Sequence, residues 1–144
     1  MKYHYTESGL KNIYLINGFE VHKTPYGEAV SVQDVEGLHR VISLNLCTKK
    51  HLTGTEFRFL RKEMGLSQNG LGQTLGVTDQ AIAKWEKTGK VPKTADRFVR
   101  LLYLESIHEN FKIKKLIEQI NEIDRDDYSK FELEQTKTGW KEAA

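Results

Sequence analysis

The chain has 144 residues, of which 38% are hydrophobic and 29% charged, with a formal net charge of +2. This is the composition of a globular protein of one or two small domains, long enough to bury a core. No apolar run approaches the roughly 18 residues that a membrane span needs, the opening Met-Lys-Tyr-His-Tyr-Thr-Glu lacks the apolar stretch of a secretory signal, and the single Cys47 excludes an intrachain disulfide and fits a reducing cytoplasm.

The charge is unevenly placed. Residues 1–48 carry 4 basic and 5 acidic side chains, residues 49–100 carry 11 and 5, and residues 101–144 carry 7 and 10. The middle third is therefore +6, between segments of −1 and −3. Such a concentration suits a phosphate-contacting surface, or equally a solvated basic face.

In chain order, Ile13–Ile16 and Phe19–His22 read as strands joined by Asn17-Gly18, whose residues tolerate the positive φ of a tight hairpin. Thr24-Pro25-Tyr26-Gly27 reads as a second turn and Ala29–Val32 as a third strand. Asp34 is placed to cap a helix carrying Val35, Leu38, Ile42 and Leu46 at helical spacing. Three short strands and one helix are too little to stand alone, so this α+β element is expected to pack on the helices C-terminal to it.

From Thr53 the period becomes helical. Thr53 and Glu56 have capping-box spacing, and Phe57, Leu60 and Met64 share a face that Gly65 ends. Ser67 is the next cap, with Leu71 and Leu75 inward and Gly76 as the stop. Thr78 caps a third helix, with Ile82 and Trp85 inward and Gly89 as the stop. Pro92 breaks the chain. Thr94 begins a fourth helix with Phe98, Leu101 and Leu102 on its buried side. A fifth, at about residues 109–124, lines up Ile113, Leu116, Ile117, Ile120 and Ile123. Acidic residues come next at Asp124, Asp126 and Asp127, then a tail with Phe131, Leu133 and Trp140, readable as a short strand or docked segment.

These features divide the chain into a small α+β element at 1–50, a helical unit at 51–106, and a C-terminal helix and tail at 107–144. The expected class is mainly α: a five-helix bundle with a small N-terminal element of antiparallel strands and one helix.

Residues 53–104 resemble the helix-turn-helix domain of the Xre/Cro/cI-like transcription regulators. The resemblance is carried by Leu60-Arg61, Leu66-Ser67-Gln68, Leu71, Leu75-Gly76-Val77, Ile82, Trp85-Glu86, Gly89 and Pro92. It implies that the third helix of the bundle enters a DNA major groove. On that helix Asp79, Gln80, Ala83, Lys84 and Lys87 face outward. Gln80 is suited to adenine, Lys84 to guanine or a phosphate, and Asp79 to cytosine N4. Asp79 serves equally as an acidic residue favoured by the helix dipole. Gln68 and Thr78 are the expected phosphate contacts at helix starts, joined by Lys87, Lys90 and Lys93. Arg61 is ambiguous, since it is also placed to pair with Glu86. Gly72 stands where the family commonly has Ala, at roughly 1 kcal/mol of helix propensity, and Gly70 adds a similar cost.

The run Thr53–Arg61 ahead of the motif further resembles the MqsA/YgiT-like antitoxins, regulators with an N-terminal module before a helix-turn-helix. That resemblance implies toxin binding alongside repression of the chain's own operon. The zinc site of that family uses paired Cys-x-x-Cys motifs, which are missing here. His4, His22, His39 and His51 lack metal-ligand spacing, so no metal and no cofactor is expected. Glu20, His22, Glu28, Asp34 and His39 form no recognisable catalytic pattern, so no enzyme is expected. The partners expected are double-stranded DNA, a second copy of the chain through the fifth helix or the tail, and, on the narrower resemblance, a toxin protein.

Overall fold

In the computed structural model, residues 2–107 and 133–142 are described. The first part opens with two small antiparallel sheets. β1 (Tyr3–His4) pairs with β2 (Tyr14–Leu15), and β3 (Phe19–Thr24) pairs with β4 (Gly27–Val32). Asn17-Gly18 is therefore not a hairpin turn, contrary to expectation. Gly18 does take a positive φ of 78°, but it sits between the two sheets. β2 instead pairs with β1, which sets Tyr3 opposite Leu15, and both lean on the core. A long-range contact with apolar burial outweighs the local preference of Asn-Gly. The hairpin closes at Pro25-Tyr26, where the Thr24 hydroxyl donates to Gly27 O at 2.7 Å and accepts from Tyr26 N at 3.2 Å.

α1 (Val35–Leu46) is capped by Asp34, which accepts from Gly37 N at 3.1 Å. Its buried side is Ile42, Ser43 and Leu46. Val35, expected on the apolar stripe, is exposed at the first turn, where the helix has not yet reached the core.

Next in the chain comes the bundle: α2 (Gly54–Glu63), α3 (Gln68–Leu75), α4 (Asp79–Thr88) and α5 (Lys93–Ile107). Every expected cap is formed. Thr53 and Glu56 make the reciprocal capping box, while Ser67 and Thr78 accept from Gly70 N and Ala81 N. Gly65, Gly76 and Gly89 take φ of 69°, 76° and 75°, the left-handed conformation that ends a helix cheaply only at glycine. Phe57, Leu60, Leu71, Ile82 and Val99 are wholly buried. They share one cluster with Tyr5, Leu10, Ile42 and Leu46 from the N-terminal element. This is a mainly α helix-turn-helix bundle with a small α+β element packed on it.

Leu101 departs from expectation. It is 61% exposed, although Val99, Leu102 and Tyr103 around it are buried. The inward face of α5 is set by Ala95, Val99 and Leu102, and Leu101 lies to one side of it. The expected fifth helix at 109–124 lies outside the described residues. β5 (Leu133–Thr136) and β6 (Gly139–Glu142) form a hairpin in which Gln135 pairs with Trp140.

Candidate nucleic-acid interface

α3 and α4 are joined by Gly76, Val77 and Thr78 alone. This turn is tight because α3 approaches it closely at Gly72. Val77 N donates to Gly72 O at 2.8 Å, and a Cβ on Gly72 would lie 2.7 Å from Val77 O. Gly72 is therefore required by close approach, and its helix-propensity cost is secondary. Gly54 does the same work between α2 and α4. A Cβ there would collide with the Glu86 carbonyl oxygen. The start of α2 thus abuts the last turn of α4, bringing a positive helix end to a negative one.

Beneath α4 lies a buried polar network. Arg61 donates to both carboxylate oxygens of Glu86, from Nε at 2.7 Å and from Nη2 at 3.0 Å. Its Nη1 donates to Leu66 O at 2.9 Å. Gln68 Nε2 donates to Glu86 Oε1 at 3.1 Å. The Arg61 and Glu86 side chains are only 8% and 6% exposed. Each charge is desolvated but paired and hydrogen-bonded, the condition under which a buried ion pair is tolerated. Arg61 is thereby assigned to the bundle interior, where it fixes α2, α3 and α4 together. Phe57 packs edge-on against Trp85, with ring centroids 6.2 Å apart, on the same inner side.

The outer side of α4 differs. Asp79, Gln80, Lys84 and Lys87 are exposed, and Gln80, Lys84 and Lys87 fall on one stripe at helical spacing. Ala83, expected outward, is half-buried. The Asp79 carboxylate accepts from Gln80 N at 2.9 Å, at the helix end whose dipole favours an anion. Thr78 is exposed and uses its hydroxyl oxygen as the cap. Lys90 and Lys93 are exposed on the connection to α5 and at its first residue. Gln68 is set apart from these groups. It is half-buried, and one of its amide hydrogens is committed to Glu86. Its remaining capacity lies at the start of α3, beside the Ser67 cap.

The sequence did not signal two features that position this interface. One is Gly54, which looks like an ordinary first helical residue until α4 is seen against it. The other joins the N-terminal element to α2: His39 lies between Tyr5 and Glu63, with Nε2 2.7 Å from the Tyr5 hydroxyl and Nδ1 2.6 Å from Glu63 Oε1. Burial and the nearby Glu7 and Glu63 carboxylates raise the Tyr5 phenol above its ordinary value. Further along, Asp96 accepts from Leu52 N at 2.7 Å and pairs with Arg100 at 2.7 Å, while Arg100 donates to Lys49 O. This fixes the connection between α1 and α2 on α5.

Among the described residues no three or more His, Cys, Asp or Glu converge on a metal position, and no helix is long and apolar enough to cross a membrane. No curated protein and no solved structure matches the chain. Residues 57–102, from within α2 to within α5, match the model of the helix-turn-helix family, so this segment is similar to the helix-turn-helix domains of Xre/Cro/cI-type proteins.

Proposed function

We propose that the protein is a sequence-specific transcriptional repressor, cytoplasmic and without catalytic activity, that inserts α4 into the major groove of double-stranded DNA. The observation that carries this reading is the division of α4 into two faces. Ile82, Trp85 and Glu86 lock one face into the bundle, and Gln80, Lys84 and Lys87 stand free on the other. Gln80 reads adenine through its amide, and Lys84 donates to guanine O6 or N7. Asp79 accepts from cytosine N4. Thr78, Lys87, Lys90, Lys93 and the start of α3 at Gln68 hold phosphates and set the register. A single helix reads few base pairs, so the protein acts as a homodimer on two half-sites about one DNA turn apart. A gel-shift titration on the DNA upstream of the protein's own gene tests the reading. A defined complex that survives excess random duplex is expected, and binding equal to random duplex would overturn it.

A second reading, an antitoxin that also binds a toxin protein, is favoured by the N-terminal element. Tyr14, Ile16, Val21, Tyr26, Val35, Val41 and Leu44 are all exposed there, apolar side chains that a protein partner would cover. Affinity capture of the full chain from its own cells, with and without residues 1–50, separates the two readings. A toxin retained only by the full chain supports the second, and its absence leaves a plain repressor.

A further inference from the structure

The Leu101 side chain leads to an uncovered surface. Thr94, Phe98 and Leu101 follow one another at spacings of four and three, so they form a single stripe along α5. Thr94 and Phe98 also line a groove of about 370 Å³ between α3, α4 and α5, whose other walls include Leu75, Val77, Trp85 and Pro92. Leu101, 61% exposed, extends that apolar surface by one turn. The walls are mostly apolar, so the groove is built for a hydrophobic group. A cavity of roughly 150 Å³ already accepts a benzene ring, and this one has room for an indole.

The chain carries such a group elsewhere. Trp140 is 70% exposed on the hairpin of β5 and β6. The hairpin has four-residue strands, and its turn is closed by the Thr136 hydroxyl, which donates to Gly139 O at 2.8 Å. An isolated two-stranded hairpin is at best marginally stable in water and needs a surface to pack on. The 25 residues between Ile107 and Leu133 reach up to roughly 80 Å when extended, far beyond the breadth of a domain this small.

We propose that the β5–β6 hairpin docks on its own chain, seating the Trp140 indole in the groove between α3, α4 and α5 and covering Leu101. This docking stands independently of whether the protein binds DNA. Its test is fluorine NMR of the full chain labelled with fluorotryptophan, with Trp140→Phe used to assign the two resonances. The expected result is a Trp140 resonance shielded from solvent, showing a smaller shift between light and heavy water than in the urea-unfolded chain. Leu101→Glu, a change at an exposed position that the fold tolerates, is expected to restore the full solvent shift, and dilution is expected to leave the shielding unchanged. A full solvent shift in the unmodified chain overturns the proposal, as does shielding that survives Leu101→Glu. Shielding lost on dilution also overturns it, placing the hairpin on a second copy instead.

Discussion

The helix bundle and the N-terminal element are held in different ways. In the bundle, backbone approaches backbone at Gly54 and Gly72, and a buried bidentate pair joins α2 to α4. In the N-terminal element few side chains are buried, the β3–β4 hairpin is largely exposed, and hydrogen bonds such as Tyr5–His39–Glu63 supplement a small apolar contact. The bundle is thus built to hold α4 at one angle. The element before it is an attachment whose own surface remains open.

Substitutions sharpen this contrast by their sizes. The largest loss is expected for Glu86→Ala, which leaves Arg61 buried and unpaired. Such a change should destabilise the chain by about 3–5 kcal/mol in urea unfolding. A loss under about 1 kcal/mol, the worth of a surface pair, would show that the network does not anchor α4. Gly72→Ala comes next. Helix propensity alone would make it stabilising by up to ~1 kcal/mol, yet the contact with Val77 O should make it destabilising by about 1–3 kcal/mol. The sign of the measured change decides between the two.

Tyr5→Phe probes the attachment. Removing one hydroxyl from the His39 relay should cost about 0.5–1.5 kcal/mol, with amide exchange quickening in β1, β2 and α1 while α3 and α4 keep their protection. Uniform quickening throughout would mean that the two regions unfold as one. The smallest effect is expected for Tyr26→Ser at the fully exposed tip of the β3–β4 hairpin, within about 0.5 kcal/mol of zero. A larger loss in thermal melting would show that the hairpin is covered in solution.

The same contrast explains what could be read from the sequence. The bundle was legible because its signals are local: Thr53, Ser67 and Thr78 cap helices at the expected places, and Gly65, Gly76 and Gly89 end them. The β3–β4 hairpin was legible at Thr24–Gly27 for the same reason, but the pairing of β1 with β2 was not, because β1 lies ten residues before its partner and Asn17-Gly18 offered a nearer alternative. Leu101 was misplaced for a related reason. Periodicity gives the stripe to which a residue belongs but not which stripes find a neighbour. Of the candidate interface, the outward placement of Gln80, Lys84 and Lys87 could be read from the helical period. The grip of Glu86 on Gln68 and the closeness of Gly54 to α4 depend on how helices cross, which spacing along one helix does not contain.

The central claim is that the outer face of α4 reads DNA sequence. It is tested most directly by measuring the affinity of the unmodified chain, Gln80→Ala and Lys90→Ala for a duplex selected from a random pool and for unselected duplex, across a range of salt. Gln80→Ala is expected to cost roughly 1–3 kcal/mol on the selected site and little on random DNA, whereas Lys90→Ala weakens both and lowers the salt slope by about one. Equal losses on both duplexes for Gln80→Ala, with the helical fold intact, would contradict the account.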